Sequence, residues 1–226
     1  MKRALFSVYN KTGVEKFASY LANLGYEIVS SGGTYKYLLD KGVKVVEVSE
    51  ITGFPEVLDG RVKTLHPTIH AGILAIRDKE DHQKELQKQG IAPIDFVVLS
   101  LYPFEETVKN PKSKPEEIIE QIDIGGVALI RGAAKNYQDV AIVVDMADCD
   151  KIMEEIDKTK ALSIETKTYL AAKAFSHTAY YDSYISFYFR EITKMPFPAE
   201  YALPLKKKQD LRYGENPHQN AMVYTT

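Results

Sequence analysis

The sequence predicts an α/β fold, a mostly parallel sheet with helices on both faces. Three observations carry that reading. Short apolar runs alternate with stretches of helical spacing from the first residues onward. Glycines close the helices. And 45% of the 226 residues are hydrophobic, enough to fill a core.

Residues 4–8 are an apolar run and read as a buried first strand. After the loop Lys11-Thr12-Gly13, Val14, Phe17, Ala18, Leu21 and Leu24 recur at helical spacing, and Gly25 ends that helix. Residues 26–30 read as the second strand. Ser31-Gly32-Gly33-Thr34 turns into a helix through Leu38 and Leu39 that stops at Lys41-Gly42, and 43–48 read as the third strand. A long loop carrying Gly53, Pro55, Gly60 and Pro67 follows; loops of that length in compact domains are usually functional or disordered. Residues 78–89 read as an exposed polar helix, and 96–101 as a central strand ending at Tyr102-Pro103. Asp123-Ile124-Gly125-Gly126 precedes a helix over 127–136, followed by a strand at 140–144 and a short helix at 148–157. Residues 163–192 form one long helix or two, dense in Tyr and Phe, which reads as a packing face against a neighbouring domain or a second subunit. Met195-Pro196-Phe197-Pro198 and Pro204 mark a linker that also holds Lys206-Lys207-Lys208. Residues 221–224 begin a strand that needs a partner. The expected division is 1–146 as the catalytic domain, 147–199 as a helical extension, and 200–226 as linker and the start of a further domain.

Composition excludes several classes. The net charge is −2, from 29 basic and 31 acidic residues mixed along the chain, which leaves no nucleic-acid footprint. No apolar stretch approaches a membrane span, and the amino-terminal apolar run is too short for a signal peptide. Cys149 is the only cysteine, so an internal disulfide is impossible, which fits a reducing, cytoplasmic setting. Asp148 and Asp150 flank it, a poor setting for a thiolate nucleophile.

Gly60-Arg61-Val62-Lys63-Thr64-Leu65-His66-Pro67 is the most informative stretch. On an extended segment Arg61 and Lys63 share a face, with Val62 and Thr64 on the other. Two cations on one face suit an anionic ligand, and a lysine crowded by a second cation is a usable base; a solvated basic strand explains the same residues. Ser31-Gly32-Gly33-Thr34 lies at a strand-to-helix turn. Glycines there let the backbone approach an oxyanion, and the helix start offers unpaired N–H groups and two hydroxyls. A capped turn with Thr34 as N-cap explains the same residues. Ser7 and Lys11 follow the first strand at the same sheet edge, which favours a phosphate cradle. Tyr102 ends another strand and reaches that edge, where it could hydrogen-bond a reacting group, although taken alone it reads as an ordinary half-buried tyrosine. Asp123 before Gly125-Gly126 is either an N-cap or a carboxylate beside amides that can hold an oxyanion. Lys135 lies ten residues beyond Gly125, about 15 Å along a straight helix, so either the helix breaks, or Lys135 completes a second site, across a dimer for example, or it simply complements the helix dipole at the C-terminal end. His66 and His70 have metal-like i,i+4 spacing, but Pro67 argues against a helix there and no third ligand is evident; no metal is expected.

Taken together, 6–8, 11–13, 31–34, 60–67, Leu101-Tyr102-Pro103-Phe104, 123–126 and Ala134-Lys135-Asn136 resemble, in order, the amino-terminal IMP cyclohydrolase domain of the bifunctional AICAR transformylase/IMP cyclohydrolase family. The resemblance covers residues 1 to about 200. It implies a methylglyoxal-synthase-like three-layer sandwich with extra C-terminal helices, and the dehydrative closure of FAICAR to IMP, the last step of de novo purine biosynthesis. It implies no cofactor, a small-molecule substrate, and a homodimer. It also implies roles: Ser31, Gly32, Gly33, Thr34 and Lys11 hold the 5′-phosphate with Ser7 nearby; Arg61, Lys63 and Thr64 line the base-binding region; Lys63, Tyr102, Asp123 and Lys135 handle protons; and the Gly125 and Gly126 amides stabilise oxygen charge. Residues 211–219 resemble the opening of the transformylase region, without the Lys-His pair associated with its catalysis, so transformylase activity is not expected. Tyr9 stands where the family commonly has a small hydroxyl residue, and Ser100 where asparagine is common. Two rivals remain. A methylglyoxal synthase would use Asp123 as base but has no evident work for 61–67 or Tyr102. A non-catalytic purine-nucleotide-binding regulatory module would bind IMP without turnover.

Overall fold

The computed structural model describes residues 2–58 and 60–226. The chain runs β1 (Lys2–Ser7), α1 (Val14–Asn23), β2 (Tyr26–Ser30), α2 (Gly32–Asp40), β3 (Val45–Glu47), α3 (Val48–Thr52), α4 (Pro67–Leu74), α5 (Glu80–Lys88), β4 (Phe96–Leu99), α6 (Phe104–Lys109), α7 (Pro115–Glu120), α8 (Gly125–Lys135), β5 (Ala141–Val143), a 3-10 turn (Met146–Asp148), α9 (Cys149–Thr159), α10 (Ile164–Thr193), β6 (Lys206–Leu211) and β7 (Ala221–Thr225). The first five strands form one sheet in the order β3-β2-β1-β4-β5, and every neighbouring pair is parallel. The expected α/β class is therefore what the chain adopts.

A parallel sheet buries both faces, so its strands carry unbroken apolar runs. Leu5, Phe6, Val29, Val97, Val98 and Ile142 are all essentially buried. Phe17 of α1 packs its ring on Phe6 and Phe96, at 6.2 and 6.1 Å between centroids. The chain winds outward from β1 through α1 and α2 to β3, then returns and winds the other way through β4 to β5. Right-handed crossovers in opposite directions place α1 and α2 on one face and α4 and α8 on the other, and α4 packs on α8 as that requires. Because the winding reverses between β1 and β4, a crevice opens outside their carboxyl ends, the usual ligand position in such sheets.

Several expectations change. Residues 60–67 are not a strand: among the described residues an isolated Val57–Val62 bridge forms there, and Gly60 and Arg61 lie in the turn that it closes. Alternation therefore has no regular strand to act on. Pro67 does not forbid a helix but opens one, α4, since a proline in the first helical turn removes an N–H that has no partner anyway. The end of the expected third strand becomes α3, and 163–192 belongs to one helix. Lys206-Lys207-Lys208 is not linker but β6, which pairs antiparallel with β7 and supplies the partner the terminal strand needed. No helix among the described residues is long and apolar enough to cross a membrane.

The structure divides into two compact units, Met1–Pro103 with Asp123–Ser176, and Phe104–Ile122 with His177–Thr226. The first holds the five-stranded sheet. In the second, Phe104 is buried and meets Tyr181, Tyr184 and Tyr188 edge-on at 5.7–6.3 Å between ring centroids, so these three tyrosines of α10 pack within this unit. Beside it the Glu105 carboxylate accepts from Lys109 at 2.8 Å, from the Tyr180 hydroxyl at 2.8 Å and from Lys206. Burial alone would raise the Glu105 pKa, but these donors outweigh it and bring it from 4.5 to about 2. A carboxyl with a depressed folded pKa stabilises the fold above its unfolded pKa and loses that contribution as pH falls. Glu105→Gln is expected to lower stability to urea at pH 7 by about 1–2 kcal/mol. The difference from the parent should shrink below the unfolded value of 4.5 and vanish near pH 2; urea titrations across that range check it.

Candidate active site

The glycine turn after β2 is built from backbone requirements. Ser31 is extended, φ −137° and ψ 161°, and is the N-cap of α2, yet its side chain makes no capping bond. Its hydroxyl oxygen is buried without a partner, and the residue is only 7% exposed. Gly32 follows at φ +53°, a conformation glycine adopts without the Cβ penalty. Two lysines stand over the turn. A Cβ added at Gly32 would lie 3.4 Å from Lys63 Nζ, and one added at Gly33 would lie 3.7 Å from Lys11 Nζ. Lys11 also donates to the Tyr9 carbonyl at 3.2 Å. Thr34 has a different task from the one expected. Its Oγ1 donates to the Val8 carbonyl and accepts from the Val8 N–H, both at 3.0 Å, so the hydroxyl ties α2 to the end of β1 and the N-cap is Ser31. Ser7 ends β1, and its carbonyl accepts from the Ser100 N–H at 3.2 Å across the switch point.

The loop 53–66 brings further groups to this edge. Arg61 is exposed, Lys63 is half-buried and Thr64 is buried. Lys63 Nζ lies 3.4 Å from Glu56 Oε1, and its charge also acts on Asp123, so it is carboxylates that surround this lysine. Thr64 packs so tightly on the start of α8 that a Cβ on Gly125 would approach its Oγ1 to 2.8 Å. His66 Nδ1 accepts from the Thr68 N–H at 3.2 Å and thereby caps α4. His70 has its Nε2 buried without a partner, and burial pushes its pKa down. Among the described residues no cluster of three or more His, Cys, Asp or Glu side chains is placed to hold a metal.

Asp123 is the electrostatic centre. Its Oδ1 accepts from the Gly126 N–H at 2.7 Å, and the Tyr102 backbone N–H also reaches it. Burial pushes its pKa up; the Gly126 N–H, the Lys63 charge and the Tyr102 N–H pull the other way without cancelling it. A Cβ on Gly126 would collide with the same carboxylate, so that glycine is a space requirement. The Gly126 amide is thus already engaged by Asp123. The Tyr102 ring meets Tyr9 edge-on at 6.4 Å, and the Tyr9 N–H donates to Ser100 Oγ at 2.8 Å. The two positions that depart from the family pattern therefore meet in one contact.

The structure thus gathers Lys11, Ser31, Gly32, Gly33 and Lys63 around one turn, with Tyr102, Asp123, Gly126 and Lys63 linked through the Asp123 carboxyl. It does not bring Lys135 there. α8 is unbroken from Gly125 to Lys135, and Lys135 is exposed at its far end, which leaves it about 15 Å from Gly125 along the axis. Sequence reasoning missed Glu56, since a single acid in a loop has no periodicity to mark it. A cavity of about 250 Å³ opens beside the turn, lined by Ser31, Glu47, Phe54, Glu56 and Lys63 among others. A larger cavity, about 280 Å³, lies among Lys2, Tyr26, Asp95, Lys160 and Lys167 at the opposite sheet edge. It lies at the amino ends of the strands, away from the Ser31–Thr34 turn and Asp123.

The five parallel strands in the order 3-2-1-4-5, with a glycine turn after β2 at their carboxyl edge, are those of an α/β domain, and the chain belongs to the MGS-like domain family, which matches residues 13–128. Residues 133–226 match the AICARFT/IMPCHase bienzyme family. Among similar proteins are those named bifunctional purine biosynthesis protein PurH, from Thermoanaerobacter sp. (56% identical over 223 residues) and Clostridium acetobutylicum (53% over 224), each alignment covering 99% of this chain and 44% of the relative. The chain therefore spans under half the length of these curated relatives. A solved structure, the crystal structure of ForH, superposes with a TM-score of 0.75 at 34% identity, covering 82% of this chain and 95% of that one. The family resemblance and the fold class read from the sequence are both borne out.

Proposed function

We propose that this chain is an IMP cyclohydrolase, closing the purine ring of FAICAR to give IMP and water. The observation that carries the reading is the meeting of Lys63 with both the glycine turn and the raised-pKa carboxyl of Asp123. The phosphate would sit on Ser31, Gly32 and Gly33, where an unpartnered buried hydroxyl and two lysines await an anion, with Ser7 close by and Thr34 bracing the turn. Arg61, Lys63 and Thr64 would line the base-binding region. The carboxamide nitrogen attacks the formyl carbon: a C–N bond forms, the formyl oxygen takes up charge and a proton, and the nitrogen gives up a proton. The tetrahedral carbon then expels that oxygen as water while the C=N bond forms. A carboxyl whose pKa is raised by burial is suited to moving these protons, and Asp123, Lys63 and the Tyr102 hydroxyl take that work. The Gly125 amide faces the developing oxygen charge, while Gly126 holds Asp123 in place. Neither step changes an oxidation state, and holding the two arms of one molecule together can by itself contribute about 7–11 kcal/mol.

In this reading Lys135 serves the site of a second copy, in a cytoplasmic homodimer. The proposed functional division remains 1–146 for ring closure, 147–199 as a helical extension and 200–226 as the opening of a further region. An absorbance assay with FAICAR tests the activity: IMP formation supports it, whereas nucleotide binding without product would make the chain a regulatory module. Mixing Lys63→Ala with Lys135→Ala chains tests the sharing. Random exchange should restore about a quarter of wild-type activity, and no recovery despite verified exchange would refute it.

A further inference from the structure

Glu56 projects its carboxylate over the glycine turn. Its Oε1 is 3.4 Å from Lys63 Nζ, and lies 3.7 Å and 3.5 Å from where Cβ atoms would stand on Gly32 and Gly60. That is an anion at the start of α2 beside a lysine, the place where the phosphate of a ligand would go. The occupancy is incomplete, because Ser31 Oγ, lining the same cavity, stays buried without a partner. The cavity's other carboxylate, Glu47, accepts from Ser49 Oγ at 3.1 Å. The Glu56 side chain is 42% exposed, which leaves it room to swing away from Lys63.

We propose that Glu56 is a specificity-determining residue, an internal anion that stands at the phosphate position and must be displaced by the ligand. The inference rests on the phosphate reading of the turn. A carboxylate satisfies Lys63 but leaves Ser31 and part of the turn unserved. A phosphate dianion presents three oxygens and twice the charge, reaching the lysine, the amides and the hydroxyl together. A monoanion offers little more than Glu56 already does, and so fails to displace it. Glu56 thereby discriminates against weak anions at some loss of affinity for the true ligand, a negative selection built into one side chain.

Calorimetric titration of the full 226-residue chain with IMP and with inosine 5′-sulfate, which stays monoanionic, provides the test. Glu56→Gln should bind IMP roughly two- to fivefold more tightly, the effect of a partly exposed charge pair. It should bind the sulfate more tightly still, narrowing the preference for phosphate. Glu56→Asp, which keeps the charge on a shorter side chain, should fall between. Unchanged or weaker IMP binding by Glu56→Gln, or an unchanged phosphate-to-sulfate ratio, overturns the proposal. Ser31→Ala separates the two levels. A loss of IMP affinity there with no Glu56 effect sinks only the internal anion; no loss at Ser31 sinks the phosphate reading and this inference with it.

Discussion

Lys63→Ala is expected to abolish ring closure, with kcat falling about 10²–10⁴-fold, the range for removing a group that handles protons in the transition state. Lys63 is half-buried between two carboxylates, Glu56 and Asp123, and its amino group stands over Gly32. In the proposed reading the phosphate is also held by Lys11, Ser31 and the start of α2, so IMP affinity should weaken by no more than about fivefold. Parallel rate measurements with FAICAR and titrations with IMP separate the two. Near-native turnover would remove Lys63 from the mechanism; a collapse of IMP binding equal to the loss in rate would make it a binding residue only.

Asp123→Asn should separate activity from stability. Asn keeps the shape and can still accept from the Gly126 N–H, but it cannot take up and release a proton, so kcat should again fall about 10²–10⁴-fold. The sign for stability is opposite to that at Glu105. The folded pKa of Asp123 is raised above 3.8, chiefly by burial. An acid of that kind burdens the fold once it ionises: the penalty is absent below the unfolded pKa and complete above the folded one. The neutral Asn should therefore raise Tm near pH 7, by about 2–4 °C for a gain of about 1 kcal/mol at this chain length. That advantage should fade as pH drops toward 3.8. Thermal melts between pH 4 and pH 8 would show it, and a lower Tm at pH 7 would mean that the carboxylate's hydrogen bonds outweigh its burial.

The sheet was legible because its strands are buried on both faces and their apolar runs stand out, as at residues 4–6, 28–29 and 96–99. The helices missed are short or unusually signalled. α3, α6 and α7 hold five or six residues each, too few for a periodicity, and α4 begins at a proline that looked like a breaker. β6 carries three lysines in a row because all its residues are exposed, which erases the alternation that reveals a half-buried strand. Within the candidate site the glycines and hydroxyls were legible as types, while their division of labour was not. Nothing in the order Ser31-Gly32-Gly33-Thr34 says that one hydroxyl is bound to Val8 and the other left unpartnered. The distance from Gly125 to Lys135 was legible from helical rise alone, because it depends on no side chain.

The reciprocal bonds between Thr34 and Val8 fasten the turn to the end of the middle strand of the sheet, whereas the segment bearing Glu56 and Lys63 folds back on itself through the Val57–Val62 bridge. The scaffold thus pairs a fixed anvil with a movable hammer. If the proposed roles hold, descendants of this chain could exchange the hammer for another chemistry while keeping the anvil, since the two lie on separate stretches of backbone.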